Sequence, residues 1–270
     1  MTSTSDPTTA PAPTTTAAAG ATPAAAPAPA TATTTAPAPA ARRPLGGPVV
    51  VTGGASGLGA AVARAVDRTG TPVTVLDRRP SPDGLPTEVV DLADGRAAED
   101  AVARAARDAG GLWAVVTCAG IDVPGRLGDV TADDWERVVR VNLLGTAAVV
   151  RAALPHLEAS RGRVVTVAST LGHRALSDAT AYCASKFGVV GFSRALTAEL
   201  QGRVGVTMVT PGGMQTDFFT GRDERYQPPP DLQLCPPEAV ADAVLFALTT
   251  PAGCEVRELV VTPPEEGSWP

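Results

Sequence analysis

The sequence predicts a single α/β domain, a doubly wound sheet of seven parallel strands, and three observations carry that prediction. Seven short runs rich in β-branched residues alternate with Ala- and Arg-rich amphipathic stretches, the switching of hydrophobic period expected of repeated strand–helix units. Those runs are apolar throughout rather than alternating with polar residues, as strands covered by helices on both faces require. The part of the chain with this texture is about 225 residues long, enough for one large α/β domain and too short for two.

The elements follow in chain order. Of the first 41 residues, 36 are Ala, Pro or Thr; such a stretch cannot bury enough apolar area to offset the entropy of ordering, so residues 1–44 are expected to form a disordered tail and residues 45–270 the domain. Strands are expected at 49–52, 73–77, 88–91, 113–117, 163–168, 204–209 and 257–261, and helices at 57–69, 97–109, 132–157, 180–201 and 237–249. The second and third strands lack a helix between them. Pro80, Pro82, Gly84 and Pro86 crowd that interval, and a loop is the connection they permit.

Composition excludes several classes of function. The net charge is −6, and because the tail through Arg43 holds one acid and two bases, the domain carries −7. A body that acidic is a poor partner for a phosphate backbone, so no nucleic acid is expected. Cys118, Cys183, Cys235 and Cys254 form no CxxC pair and have no His at ligand spacing, which reads as reduced thiols, no metal and a cytoplasmic protein. No apolar run approaches the roughly 18 residues of a membrane span, and the Pro-broken start is no export signal. A soluble chain is expected.

The first expected strand runs into Thr52-Gly53-Gly54-Ala55-Ser56-Gly57-Leu58-Gly59 and then directly into a helix. Glycines at 53, 57 and 59 allow a tight turn, close approach of a pyrophosphate and close helix–strand packing, with the phosphates facing the helix N-terminus. This is the pattern of a Rossmann dinucleotide site. Asp77, 18 residues beyond Gly59 at the end of the second strand, can accept both ribose hydroxyls and repels a 2′-phosphate, which favours NAD over NADP. Arg78 and Arg79 follow at once and are able to bind that phosphate if the carboxylate turns away. Asp91, at the end of the third strand, either meets the adenine amino group or caps the helix that follows.

Tyr182 and Lys186 stand four apart at the start of an amphipathic stretch, on one helix face. Lys186 is the only lysine beside 21 arginines, and Asn142 is the only asparagine. A chain so biased toward Arg retains a Lys where a compact ammonium is required. Ser169 ends the fifth strand, 13 residues before Tyr182. Together with the glycine turn, Val141-Asn142-Leu143-Leu144-Gly145, Tyr182-Cys183-Ala184-Ser185-Lys186 and Pro211-Gly212 through Thr216, it makes residues 48 to about 262 resemble the short-chain dehydrogenase/reductase family of ordinary length.

That resemblance implies an NAD(P)-dependent oxidoreductase that moves a hydride between nicotinamide and a secondary alcohol or ketone of a small molecule. It implies Tyr182 as general acid/base, Lys186 as the cation beside it, Ser169 as the hydrogen-bond partner of the substrate oxygen, and Asn142, at a helix irregularity, as the holder of a water joined to Lys186. Cofactor contacts are implied at Gly53, Ser56, Gly57, Leu58, Gly59, Asp77, Arg78, Asp91, Leu92, Ala119, Gly120, Tyr182, Lys186, Pro211, Gly212 and Thr216. Apolar residues on several faces of helices 132–157 and 180–201 suit a homodimer or homotetramer. A catalytically silent cofactor-binding sensor is the rival, although the four catalytic positions are all kept.

The chain also departs from the family. Cys118-Ala119-Gly120 stands where Asn-Ala-Gly is usual, which keeps the small floor and loses an amide; Cys118 is read as a core residue. The insertion 217–236 is short, and its Phe218, Phe219 and Tyr226 either line the pocket or anchor the loop. The end of the last strand lacks the glycines usual in the family, and in this it resembles reductases of small hydroxy or keto compounds.

Overall fold

The computed structural model describes residues 45–269. The expected disordered tail, residues 1–44, lies outside the described residues. Seven strands form one sheet: β1 Val49–Thr52, β2 Val73–Asp77, β3 Thr87–Val89, β4 Ala114–Thr117, β5 Arg163–Val167, β6 Gly205–Pro211 and β7 Glu258–Val261. Every pairing is parallel, in the order β3-β2-β1-β4-β5-β6-β7. The direction of winding reverses between β1 and β4, the place where open α/β sheets bind ligands beyond their strand ends.

Alternation along each strand divides the core in two. Val50, Val115, Val164 and Val206 face α2 Gly95–Asp108, α4 Thr146–Ser160 and α5 Thr180–Glu199. Val49, Val51, Val116, Val165 and Val209 face α1 Gly57–Asp67 and α6 Pro237–Leu248. Nearly all of these side chains are Val, Ala or Leu, so the helices lie close on the sheet. Register aligns the ends of the central strands: Thr52 pairs with Thr117, and Thr117 with Thr166. The chain therefore leaves β1, β4 and β5 at one level, where Gly53, Cys118 and Ala168 begin the loops.

The structure amends the expected elements in several places. The third strand is Thr87–Val89 rather than 88–91; Val90 N–H still donates to the Asp77 carbonyl, after which Asp91 turns away with its own Oδ1 accepting from Ala93 N–H. Asp94, not Asp91, caps α2, accepting from the N–H groups of Arg96 and Ala97. The helix expected at 132–157 is interrupted. It begins as α3 Ala132–Val139, widens into a π-helical turn over Arg140–Gly145 and continues as α4. The Thr146 hydroxyl donates to the Asn142 carbonyl at 2.8 Å within this turn, and the hydrophobic period does not register the widening.

That same run corrects the expectation that nothing apolar approaches membrane-spanning length. Ala132–Ser160 is 29 residues long with a mean hydropathy of 1.4 in its most apolar window. Half of that window is buried within the domain, against the sheet and α2, so it is an interior helix of the fold. Both α5 and the π-helical turn also leave large apolar side chains outside: Leu144 is 55% exposed and Phe187 45%.

Candidate active site

A cleft of about 880 Å³ lies along the strand ends, with the glycine turn at one side and Tyr182 at the other. Its floor is Ala119 and Gly120. The turn after β1 is held by the Gly53 N–H, which donates to the Leu76 carbonyl at 2.8 Å, and by the Thr52 hydroxyl, which accepts from Ala119 N–H. Ser56 occupies the N-cap position of α1 without a side-chain bond to the helix. The first N–H groups of α1 therefore remain available to an anion. Gly57 has φ +51°, a left-handed conformation that suits glycine, and a Cβ there would meet Thr216 at 3.4 Å. A Cβ on Gly59 would sit 2.2 Å from the Gly53 carbonyl oxygen. Backbone thus lies where side chains would otherwise fill the turn, and this cradle fits the pyrophosphate of a dinucleotide.

Asp77 holds both carboxylate oxygens against this turn. Oδ2 accepts from Ala55 N–H and Oδ1 from Arg79 N–H, each at 3.1 Å. Arg78 and Arg79 are exposed on the cleft rim. Asp91 lines the cleft but is bound to Arg137 at 2.8 Å. Burial works to raise its carboxyl and the Arg137 hydrogen bond and charge outweigh it, so the group is held below the ordinary value. Leu92 is buried in the wall beside it. Pro211 ends β6, Gly212 N–H donates to the Val261 carbonyl, and Thr216 lines the cleft facing Gly57.

Three of the four predicted catalytic side chains meet at the far end. Ser169, 8% exposed, lies two residues beyond β5, not at its end as expected, and caps the short turn Thr170–Gly172 by accepting from Leu171 N–H. Tyr182 lies in the first turn of α5, with Lys186 one turn on; the Lys186 Nζ donates to the Val167 carbonyl at 2.9 Å and sits 5.7 Å from the Tyr182 ring centroid. Burial pushes the Tyr182 phenol up to about 12, with the Ser169 hydrogen bond acting the other way. Burial also pushes the Lys186 ammonium down to about 8. Cys118 is driven by burial to about 12, unlike an activated thiol.

Asn142 lies behind the cleft floor, its Oδ1 and the Lys186 Nζ each 3.6 Å from where a Cβ on Gly120 would sit. It is fully buried, its Oδ1 accepting from Ile121 N–H and its Nδ2 donating to the Ile121 carbonyl and the Ser185 hydroxyl. Ser185 in turn donates to the Tyr182 carbonyl at 2.8 Å. The Asn142 amide is thus a clamp joining the loop after β4 to the helix that carries Tyr182.

Further residues complete the site, among them Phe218, Phe219 and Tyr226, which the sequence offers as pocket lining or loop anchors. Phe218 packs on Tyr182 at 5.6 Å between centroids, Arg222 stacks over Phe218 and Phe219, and Arg222 pairs with Asp122 from the loop after β4. Tyr226 both lines the cleft and anchors its loop, donating to Asp178 at 3.2 Å. Beyond β7 the chain returns to the cleft: the Glu266 carboxylate accepts from Gly213 N–H, and the Ser268 hydroxyl donates to Thr170. Asp122, Arg222, Glu266 and Ser268 are the residues that sequence reasoning missed, and their only signals are Asp122 two residues after Gly120 and Arg222 shortly after a Phe pair.

A doubly wound sheet with a glycine turn at its first strand and a Ser, Tyr and Lys gathered across the cleft defines a dinucleotide-binding oxidoreductase scaffold. A family model described as short chain dehydrogenase matches residues 48–227. An uncharacterized oxidoreductase of Staphylococcus aureus strain MW2 is 31% identical over 226 residues, 79% of this chain and 96% of that protein. A glycine betaine reductase of Emericella nidulans is 32% identical over 83% of this chain, which spans only 19% of that longer protein. Among solved structures, an alcohol dehydrogenase from Thermococcus sibiricus complexed with 5-hydroxy-NADP shares the fold, with a TM-score of 0.71 and 23% identity over 80% of this chain and 95% of its own. The aldohexose dehydrogenase of Thermoplasma acidophilum does so with a TM-score of 0.72 and 22% identity over 82% and 93%. The chain belongs to the short-chain dehydrogenase family and is an oxidoreductase.

Proposed function

We propose that this protein interconverts a secondary alcohol and a ketone of a small molecule, with Tyr182 as the general acid/base. The observation that carries the reading is the meeting of Tyr182, Ser169 and Lys186 in one cleft opposite the glycine turn. When bound, the nicotinamide cofactor supplies or accepts the hydride. Ser169 holds the substrate oxygen against the Tyr182 phenol, which gives a proton in reduction and takes one in oxidation. Lys186 lies close enough for its charge to favour the phenoxide. Asn142 and Ser185 fix the helix turn that carries Tyr182. Positioning and local charge are the protein's contribution to the chemistry.

Transfer of label tests this directly. A secondary alcohol with deuterium on its carbinol carbon should deliver that deuterium to the recovered reduced cofactor. Its appearance in water instead would overturn direct transfer.

The preferred cofactor in this reading is NAD, because Asp77 presents a fixed carboxylate at the adenosine side of the turn. Fluorescence titration should find NADH bound at least about tenfold more tightly than NADPH, a difference of about 1.4 kcal/mol. Asp77→Ala should weaken NADH far more than NADPH. The reverse order would assign the preference to Arg78 or Arg79. The exposed Leu144 and Phe187 support a homodimer or homotetramer.

A further inference from the structure

Arg222 Nη1 lies 3.3 Å from Asp122 Oδ2, with the two side chains only 11% and 7% exposed. The other ends of the same groups, Arg222 Nη2 and Asp122 Oδ1, are buried without a hydrogen-bond partner. Among the described residues, these are the only such orphaned atoms whose residues line the cleft. Buried polar atoms are almost always paired, and charged ones most of all. A single ion pair tying the loop of Arg222 to the loop after β4 accounts for one donor and one acceptor. It leaves an unmet donor and an unmet acceptor on the same two paired groups.

The pair belongs to the substrate end. Arg222 lies 4.4 Å above the Phe218 ring, and Phe218 packs against Tyr182. The guanidinium rests on the Phe218 and Phe219 faces, and both Arg222 and Asp122 line the cleft that receives the substrate. Taking the dehydrogenase reading as its basis, we infer that Asp122 and Arg222 anchor a second hydroxyl of the substrate, so that Tyr182 acts on a diol or hydroxyketone.

A hydroxyl is the smallest group that both donates and accepts. It donates to Asp122 Oδ1 and accepts from Arg222 Nη2, which satisfies both atoms at once. The pair is neutral overall, so a neutral ligand brings no unbalanced charge into a buried place. A substrate carboxylate would meet Asp122 as a like charge, and an alkyl chain would leave both atoms unmet.

The test compares isopropanol, propylene glycol, the homologue of that diol with one more carbon between its hydroxyls, and lactate, each oxidised by the full chain with its preferred cofactor. At least one diol should exceed isopropanol in kcat/KM by about tenfold or more, the size expected of hydrogen bonds to charged groups. That ratio should collapse toward unity in Arg222→Met and in Asp122→Leu, a change that a merely structural tie would not produce. Equal use of isopropanol and both diols, preference for lactate, or a ratio that survives both substitutions would overturn the anchor and leave the dehydrogenase reading intact. No turnover of any member, with NADH binding demonstrated by fluorescence, would overturn the dehydrogenase reading itself and the anchor with it.

Discussion

Tyr182→Phe should lower kcat/KM by about 10²- to 10⁴-fold on any alcohol or ketone the protein turns over, the range that a positioned acid/base supplies. The substitution removes one oxygen and leaves the ring that packs on Phe218, so the fold should melt within a few degrees of the parent. Cofactor affinity should change little. The pH dependence follows from the environment of the phenol. Burial raises it to about 12, which keeps the proton in place throughout the neutral range. Reduction uses the protonated form and should be level with pH until the alkaline region. Oxidation uses the phenoxide and should rise with pH, and the Phe variant should lose that rise. Lys186 assists only while charged; because burial pulls it to about 8, its help fades above that pH. Rate profiles in both directions on parent and variant check this, and a variant that retains the alkaline rise would place the acid/base elsewhere.

The sheet was legible because its strands have no polar alternation to obscure them: Val49 to Val51 or Val164 to Val165 need both faces covered, and only a layered α/β fold covers both. The glycine turn and the Tyr182–Lys186 spacing were legible because each lies within one local element, where sequence distance fixes spatial distance, whereas Ser169, in a different element, was joined to them only by the family resemblance. The irregularity at Asn142 follows from the family resemblance and not from the helical pattern. A π-helical turn costs no change in residue type, so the pattern of helix 132–157 hides the widening that turns its amide toward Ile121. Asp122 and Arg222 were invisible for a different reason. They are 100 residues apart, on loops without periodicity, and meet only because β4 and β6 are separated by β5 alone in the sheet. The return of Glu266 and Ser268 to the cleft is likewise a property of the closed fold: Pro263-Pro264 reads locally as an exit from β7, and nothing in the spacing shows that the chain doubles back.

Gly59→Ala should be the most damaging small substitution at the nucleotide side, and the reason is contact rather than conformation. Gly59 does not have a positive φ. An added Cβ would lie 2.2 Å from the Gly53 oxygen, 2.5 Å from its carbon and 2.9 Å from the Thr52 oxygen, all of them backbone atoms at the end of a strand buried in the sheet. None can swing aside as a side chain would, so α1 must lift from β1 and carry its open N–H groups with it. Overpacking of this kind costs about 1–3 kcal/mol of stability, and displacing the N–H cradle should weaken NADH by about 100-fold, equivalent to about 2.7 kcal/mol. Gly57→Ala supplies the contrast. Its Cβ would meet Thr216 at an ordinary 3.4 Å, and its difficulty is φ +51°, a strain of about 1–2 kcal/mol that leaves the helix in place. Thermal melts and NADH titration of the two variants should therefore rank Gly59→Ala as the weaker binder by a wide margin. Equal losses, or a Gly59→Ala protein that binds NADH like the parent, would mean that the helix N-terminus is not what holds the phosphates.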